Sequence, residues 1–443
     1  MRKSLQWIVL LKSITTGIFA PVLALALLAH GADIRTLSLV IGCYAFTVIV
    51  AEFPTGLFAD LYGRKTAFLI SCVLSVASYA IILLAHSALP LVAGVMVSGL
   101  GRAFASGSID ALAVDDVEGD AAIARVSARL SILDSVGLAV GSLAGGLLAG
   151  IGEGYIANLG VNLGISALLF PITLLMVHEA KRTGAAPNAG GIAAQSTSVL
   201  GDVPMGAGAI LSGTDVAEVV AAESRFAPEA ATAAPSGWRA FLVQARQSLG
   251  FVVHSRMSTA LFLLAFFTGV GLAAMETYWQ PALESLAPAP WLLGAVSFLG
   301  FFSVIVGSKL TEKRMVKRPQ TGLTFVLAQK VLTALCLGLL ILPTGAGGFL
   351  GVYMGVYLFL GLGNVTESTL LNREAPSAQR AGILSLYSFV VQVGSLFSSL
   401  MGYFISRHAD FRLTWVAGAV MLVLASAVVA ARRKARGTGD GVV

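Results

Sequence analysis

Charged residues are scarce in this sequence of 443 residues, because Asp, Glu, Lys and Arg together make up only 12% of it. A soluble globular protein carries about 25% charged residues, so too few polar side chains are present to cover a water-exposed surface of this size. With 56% hydrophobic residues and a mean hydropathy of +0.85, the composition excludes a cytosolic enzyme and a disordered chain. The sequence therefore indicates a protein whose solvent is lipid.

Cysteine is also rare, since only Cys43, Cys72 and Cys336 occur, far apart and each within an apolar run. This spacing excludes a disulfide-stabilised secreted scaffold and offers no metal-binding pattern. The sequence also lacks a nucleotide-binding P-loop and the nucleophile elbow of hydrolases, which disfavours an ATP-driven pump and a membrane enzyme. We predict a protein that is not an enzyme and has no metal site and no cofactor.

Long apolar runs are what the sequence does contain. A helix crosses the hydrocarbon core of a bilayer in about 20 apolar residues, and an open sheet cannot satisfy its backbone in lipid. Because the runs are continuously apolar rather than alternating, they predict helices and exclude a membrane β-barrel. We predict an all-α membrane protein with twelve transmembrane helices, at residues 5–29, 36–58, 66–86, 89–112, 130–151, 156–177, 257–281, 291–310, 320–343, 347–368, 381–405 and 413–431.

The Lys and Arg residues between these runs indicate the orientation of the chain. Nearly all of them fall in segments on the same side as the two termini, whereas only Arg35, Arg407 and Arg412 lie in loops on the other side. The positive-inside rule therefore predicts a multi-pass protein of the cell (inner) membrane with both termini in the cytoplasm. Because the net charge of +6 is divided among short clusters, we predict no nucleic-acid binding.

The predicted domains are two six-helix bundles, at residues 1–180 and 256–436, followed by a cytoplasmic tail at 437–443. Residues 181–236 are rich in Ala, Gly, Ser, Thr and Pro without apolar periodicity, which predicts a flexible cytoplasmic linker. In residues 237–255, apolar side chains recur at helical spacing. This segment is either an amphipathic helix on the inner membrane surface or a cytoplasmic extension of the seventh span.

The loop after the second span reads Gly-Leu-Phe-Ala-Asp-Leu-Tyr-Gly-Arg-Lys over residues 56–65. It closely resembles the G-x-L-A-D-x-x-G-R-K motif of the major facilitator superfamily, in the loop where that family has it. The resemblance implies two six-helix bundles and a gate in which Asp60 faces the start of the eleventh helix and Arg64 pairs with an acid on the fourth. The implied gating residues are Gly56, Asp60, Gly63, Arg64, Lys65, Asp115 and Asp116.

Glycines of the fifth span form a second, weaker motif. Gly137, Gly141, Gly145 and Gly146 resemble the antiporter motif G-x3-G-P-x2-G-G, although Ser142 stands in place of the proline. The same glycines would also form an ordinary groove for close helix packing, which requires no antiport. Both interpretations stay open at the level of sequence.

Ionisable residues within the predicted spans are functional candidates, because a charge in lipid is costly unless it is paired or hydrated. The proton-coupling candidates are Asp110, which lies in a stretch similar to one of drug-exporter-like members, Asp134 and Glu276. Asp134 has the alternative of a fixed, structural pair with Lys12. The aromatic residues near Glu276 either anchor the helix at the interface or bind cations through their ring faces. The substrate-cavity candidates are Arg102, Tyr278, Trp279, Gln280, Asn364, Glu367 and Gln392.

These features together predict a drug-exporter-like member of the major facilitator superfamily that functions as a monomer in the lipid bilayer. We expect a multidrug antiporter that exchanges protons for hydrophobic or cationic small molecules by alternating access. One alternative is a proton-coupled importer of a small metabolite such as a sugar or an organic acid. A non-transporting membrane receptor is a further alternative, which the gating motif disfavours.

The topology can be tested by cysteine-accessibility labelling in intact cells. A cysteine introduced into the 181–236 linker should react with a membrane-impermeant reagent only after the cells are opened, because the linker is predicted to be cytoplasmic. Labelling of the linker in intact cells would contradict the predicted orientation.

Overall fold

The computed structural model describes residues 3–106, 108–115, 120–177, 246, 248–317, 322–376 and 380–437. Within these ranges the regular structure is helical and contains no strand, which confirms the predicted all-α fold. The predicted linker 181–236 lies outside the described residues, as does the 437–443 tail beyond Gly437. Of the 237–255 segment, residues 248–254 are helical, with Val252 buried and Leu249 exposed.

The first half of the chain supplies six membrane-crossing units. They are formed by α1 (Lys3–Phe19), a 3-10 turn (Ala20–Val22), α2 (Leu23–Ala29), α3 (Leu37–Tyr62), α4 (Arg64–Leu84), α5 (Ala88–Ala105), α6 (Ser108–Asp115), α7 (Asp120–Leu148) and α8 (Ile156–Met176). Two predicted spans are interrupted. The first changes to 3-10 geometry at Pro21, which has no N–H to continue the α-helical hydrogen bonds. The fourth, predicted as one run over 89–112, ends its first helix at Ala105 and resumes at Ser108.

The second half supplies six further helices, each corresponding to one predicted span. They are α9 (Arg256–Leu286), α10 (Pro290–Lys317), α11 (Leu323–Leu339), α12 (Ala346–Glu374), α13 (Arg380–His408) and α14 (Leu413–Gly437). Eleven spans of the described chain are long and apolar enough to cross a membrane, while α11 has only 17 residues. A helix of that length is at the short end of what a bilayer accommodates. All twelve predicted spans are thus occupied by apolar helices.

The hydrophobic core is continuous at one end of the molecule and divided at the other. We call the end that holds Lys3 and Gly437 the terminal face, and the other end the opposite face. Toward the opposite face one cluster combines residues of both halves, such as Leu27 and Trp279. Toward the terminal face the halves have separate clusters, one around Phe68 and one around Ile383. The two bundles therefore share a core only near the opposite face.

The glycines of the fifth span hold α7 against α1. A Cβ atom at Gly137 would lie 2.6 Å from the Cβ of Ser13, and one at Gly141 would lie 2.8 Å from the Cα of Gly17. Real Cβ atoms do not approach other atoms so closely, so the backbones meet only because these residues are glycines. The packing groove considered for this motif is therefore present, and α7 runs without interruption through Ser142.

Small residues also join the two halves near the opposite face. A Cβ at Gly146 on α7 would lie 2.7 Å from the Cα of Gly294 on α10. A Cβ at Gly42 on α3 would lie 2.7 Å from the Cβ of Ser399 on α13. These two helix pairs, α7 with α10 and α3 with α13, bring the backbones of the two bundles into direct contact.

The α1–α7 contact makes a prediction about stability. Replacing Gly141 with alanine should lower the thermal unfolding temperature in detergent, because the added methyl group forces α7 away from α1 at a cost of about 1–3 kcal/mol. Gly160 on α8 has open space around its Cα, so Gly160→Ala is the matched control. The control should leave stability unchanged or slightly higher, since alanine favours helix. Equal unfolding temperatures for the two variants would contradict the packing role.

Candidate functional site

A cluster of charged groups lies inside the first half, where α1, α5, α6 and α7 meet. Asp134 on α7 accepts a hydrogen bond from the hydroxyl group of Ser13 on α1. Lys12, Arg102 and Asp110 are all near enough to interact electrostatically with the Asp134 carboxylate. We call these four charged residues and Ser13 the first-half charge cluster. It brings together three residues that the sequence analysis proposed separately, namely Asp110, Asp134 and Arg102.

Local structure explains how this cluster forms. Asp134 lies one turn before Gly137, whose close approach to Ser13 carries the carboxylate to the surface of α1. Arg102 and Asp110 lie on either side of the interruption in the fourth span. The helix before it ends with a hydrogen bond from the Ser106 N–H to the Arg102 carbonyl. Asp110 is half-buried in the first turn of α6, where the helix dipole favours a negative charge.

The second half contains a buried ion pair that the sequence analysis did not predict. Lys330 Nζ on α11 lies 2.6 Å from Glu367 Oε1 on α12. Gln329 Nε2 donates to the same oxygen over 3.1 Å, and the hydroxyl group of Tyr387 on α13 donates to Oε2. Gly363 makes room for this arrangement, because a Cβ there would lie 2.5 Å from Gln329 Nε2. Glu367, expected in a substrate cavity, is thus 3% exposed and bound to three neighbouring side chains.

The pairing signal was present in the sequence, because Lys330 and Glu367 are opposite charges in consecutive spans. A charge in lipid is stable when it is paired with one of the opposite sign, so the ninth and tenth spans could have been predicted to face each other here. What hydropathy does not supply is the rotation of each helix, which decides whether two such side chains meet.

Glu276 on α9 occupies a second buried position in this half, among aromatic residues. It is 8% exposed and lies on the same helix face as Trp279, whose ring is 5.3 Å from that of Tyr353. The Glu276 carboxylate is also close enough to the Tyr353 side chain to interact with it electrostatically. The Trp279 side chain interacts with the Glu276 carboxylate, and beyond this pair Glu276 Oε1 and Trp279 Nε1 have no hydrogen-bond partner among the described residues. The site therefore combines a buried carboxylate with a neighbouring indole N–H.

Gln280 has a different environment from the other candidates on α9, because its side chain crosses to the first half. Its Oε1 accepts a hydrogen bond of 2.7 Å from the Ala24 N–H, and its Nε2 donates one of 2.8 Å to the Ala20 carbonyl. Both backbone groups lie at the 3-10 interruption of the first span. Gln280 thus satisfies the polar groups that the interruption releases and links the two halves near the opposite face.

The remaining cavity candidates lie in dissimilar places. Tyr278 stacks on Phe411 at a ring distance of 5.2 Å, and its hydroxyl group donates to Ser406 Oγ over 3.5 Å. These contacts place Tyr278 in the packed region near the opposite face. Asn364 is half-buried on α12, and Gln392 is buried on α13. The assignment of all these residues to a substrate cavity stays a prediction.

The gating motif begins at Gly56, about two turns before the end of α3, and continues through the sharp turn into α4. Gly63 connects the two helices at φ 100°, a conformation that favours glycine, and its N–H donates to the Ala59 carbonyl. Arg64 is only 5% exposed, and Lys65 Nζ donates to the Leu174 carbonyl over 2.9 Å. The side chains of Asp60 and Asp115, together with Asp116, lie outside the described residues.

Comparison with known proteins gives a single consistent family. The family model of the Major Facilitator Superfamily matches residues 7–373. A protein of Bacillus subtilis (strain 168), YxaM, described as an uncharacterised MFS-type transporter, is 22% identical over 423 residues, which cover 94% of this chain and 91% of that protein.

Solved structures with the same fold include two other transporters. The nucleoside transporter NupG superposes with a TM-score of 0.69 at 13% identity, over 97% of this chain and 98% of that one. The human organic anion transporter MFSD10 (TETRAN) gives a TM-score of 0.55 at 13% identity, over 96% and 98% of the two chains. At these identities the similarity shows the fold alone.

The family match covers most of the chain, and it agrees with the twelve apolar helices and the motif at residues 56–65. The protein is therefore an integral, multi-pass membrane transporter of small molecules and not an enzyme, and it belongs to the Major Facilitator Superfamily.

Proposed function

We propose that this transporter is a drug-exporter-like antiporter that exchanges protons for hydrophobic or cationic small molecules. The observation that carries the proposal is the first-half charge cluster, in which Lys12, Arg102 and Asp110 lie within electrostatic range of Asp134 in the membrane-spanning part of one bundle. Burying charges at this depth is costly, and carboxylates held there beside basic groups are typical of proton pathways in transporters. A protonatable group within the membrane is what proton coupling requires.

Alternating access is supported by the unequal packing at the two faces. The bundles share one core near the opposite face and have separate cores near the terminal face. This arrangement fits a state that is open toward the terminal face, and we assign that face to the cytoplasm because the Lys and Arg residues concentrate there. In the alternate state the helix pairs α7–α10 and α3–α13 would separate.

Asp110 is the leading candidate for the coupling residue. It is half-buried in a short helix that begins directly after the interruption of the fourth span. Asp134 accepts a hydrogen bond from the Ser13 hydroxyl group and lies near the charge of Lys12, which fits the structural pair considered for it. Asp110 is therefore our first candidate for the residue that carries the proton.

The substrate class is supported by the surroundings of Glu276. Its carboxylate and the rings of Trp279 and Tyr353 lie together, and beyond Trp279 no described group forms a hydrogen bond with Glu276 Oε1. A negative charge beside aromatic ring faces attracts organic cations, because both the charge and the ring quadrupoles favour a positive ligand. This combination favours lipophilic cations over anions as substrates.

Replacing Asp110 with asparagine should abolish proton-driven accumulation of the lipophilic cation tetraphenylphosphonium in proteoliposomes. Asparagine cannot release a proton, so an imposed pH gradient should no longer drive transport, whereas downhill equilibration and binding should persist. The measurement is uptake with and without the gradient. Undiminished accumulation by Asp110→Asn would contradict the assignment, and a wild type that does not move the cation would contradict the proposed substrate class.

Asp33 offers a matched control for the loss of one acid. It lies in the loop between α2 and α3, where the hydrogen bond from the Thr36 hydroxyl group lowers the pKa of its carboxyl group. Asp33 therefore stays ionised across the neutral range and has no proton to exchange there. The Asp33→Asn variant should accumulate the cation as the wild type does, which separates coupling from a general effect of charge.

Gln280 provides a test of the conformational cycle. Gln280→Leu removes two hydrogen bonds between the halves, so it should favour the state in which the opposite face is open. In a variant without native cysteines, we expect a cysteine at the buried position Ser38 to react with a hydrophilic thiol reagent several-fold faster. Gln329→Leu removes a buried glutamine within the second half alone and is the control. Equal reaction rates in both variants would contradict the proposal that Gln280 holds the two halves together near the opposite face.

A further inference from the structure

A large cleft opens at the terminal face of the second half. Its volume is about 1680 Å³, larger than the 300–1,000 Å³ of pockets for drug-sized ligands. Every described residue that lines it belongs to the second half, from Val253 on the helical segment before α9 to Arg433 on α14. No described residue of the first half lines the cleft, in contrast to the space between the two bundles through which substrates of an alternating-access transporter pass.

The rim of the cleft is strongly basic. Arg256 is the first residue of α9, Arg314 is near the end of α10, and Arg432 and Arg433 are near the end of α14. One acidic residue, Glu374, is found among the described lining residues. Its carboxylate already accepts hydrogen bonds from Ser255 Oγ at 3.0 Å and from Ser258 Oγ at 3.5 Å. The rim therefore carries an excess of positive charge.

Two of these arginines are held in place by the wall of the cleft. The Arg314 guanidinium group lies over the Phe325 ring, 4.6 Å from its centroid. Arg433 donates a hydrogen bond to Thr324 Oγ1. Both partners belong to the first turn of α11, so α10 and α14 present their arginines at fixed positions on either side of that turn. Such pre-positioned guanidinium groups are well suited to bind phosphate oxygens.

Below the rim the walls become apolar. Met257, Ala260 and Leu263 follow Arg256 along α9, and Val429 precedes Arg432 on α14. Because a helix rises 1.5 Å per residue, Leu263 lies about 10 Å deeper than Arg256. The arginines occupy helix ends, at the level of lipid headgroups, while the apolar wall extends toward the depth of the acyl chains.

We propose that this cleft binds an anionic phospholipid, with its phosphate at the arginine rim and an acyl chain along the apolar wall of α9. A polar headgroup above an apolar chain matches the vertical order of the cleft, and a negative headgroup matches its charge. Basic pockets between transmembrane helices at the positively charged side of a membrane are known to take anionic headgroups. The site does not depend on the identity of the transported substrate.

Lipid binding can be measured by native mass spectrometry on the delipidated full-length protein. Phosphatidylglycerol should bind more tightly than phosphatidylcholine with the same acyl chains, because only the former has a net negative charge. The double variant Arg432→Gln/Arg433→Gln should bind phosphatidylglycerol about 25-fold more weakly, since each basic residue near an anionic lipid contributes about fivefold. Arg129→Gln, which removes an exposed arginine on α7 away from the cleft, should bind as the wild type does.

A second variant tests the apolar wall without changing any charge. Ala260→Trp fills the space below the rim, so it should weaken phosphatidylglycerol binding while all four arginines remain. Inorganic phosphate at millimolar concentration should not displace the bound lipid. Equal binding of the two lipids, unchanged binding by both cleft variants, or displacement by inorganic phosphate would overturn the proposal, the last because it identifies a site for small anions.

Discussion

Every backbone N–H and C=O group in a lipid-embedded chain must find a partner within the protein, and this constraint shapes the whole structure. It forces the apolar runs into helices, and it makes each interruption of a helix depend on another element. At the 3-10 turn of Ala20–Val22, the released groups are bound by the side chain of Gln280 from the other half. Near the end of α1, Asn158 Nδ2 on α8 donates a hydrogen bond to the Ile18 carbonyl. The same nitrogen also donates to the Gly145 carbonyl on α7.

The first span is consequently the element around which the others are arranged. Its α1 segment packs against α7 through glycines. After Phe19, where the helix is interrupted, Gln280 on α9 forms the hydrogen bonds that the backbone lacks. The first span is thus attached to α7 within its own bundle and to α9 of the other bundle. The Ser13 hydroxyl group, on the surface of α1 that faces α7, joins the same helix to the first-half charge cluster.

The sequence was sufficient to predict the number, order and approximate bounds of the helices, because apolar length and the demand for internal hydrogen bonds determine them. It did not predict the interruption after Ala105, which no proline marks. Nor did it predict the pair of Lys330 and Glu367, since that contact depends on how α11 and α12 are rotated about their axes. For Asp110, Asp134 and Arg102, sequence identified the residues, while only the fold shows that they meet.

Where the backbones of the two halves come closest, the contacts are made by glycine and serine, as at Gly146 with Gly294 and Gly42 with Ser399. Such residues lose little or no rotamer freedom when they are buried, in contrast to interlocking leucines or aromatic rings. Two surfaces of this kind can part and rejoin without a search through side-chain conformations. The barrier to reclosure is then set by backbone alignment and the removal of water, which suits an interface that must form and break once in each transport cycle.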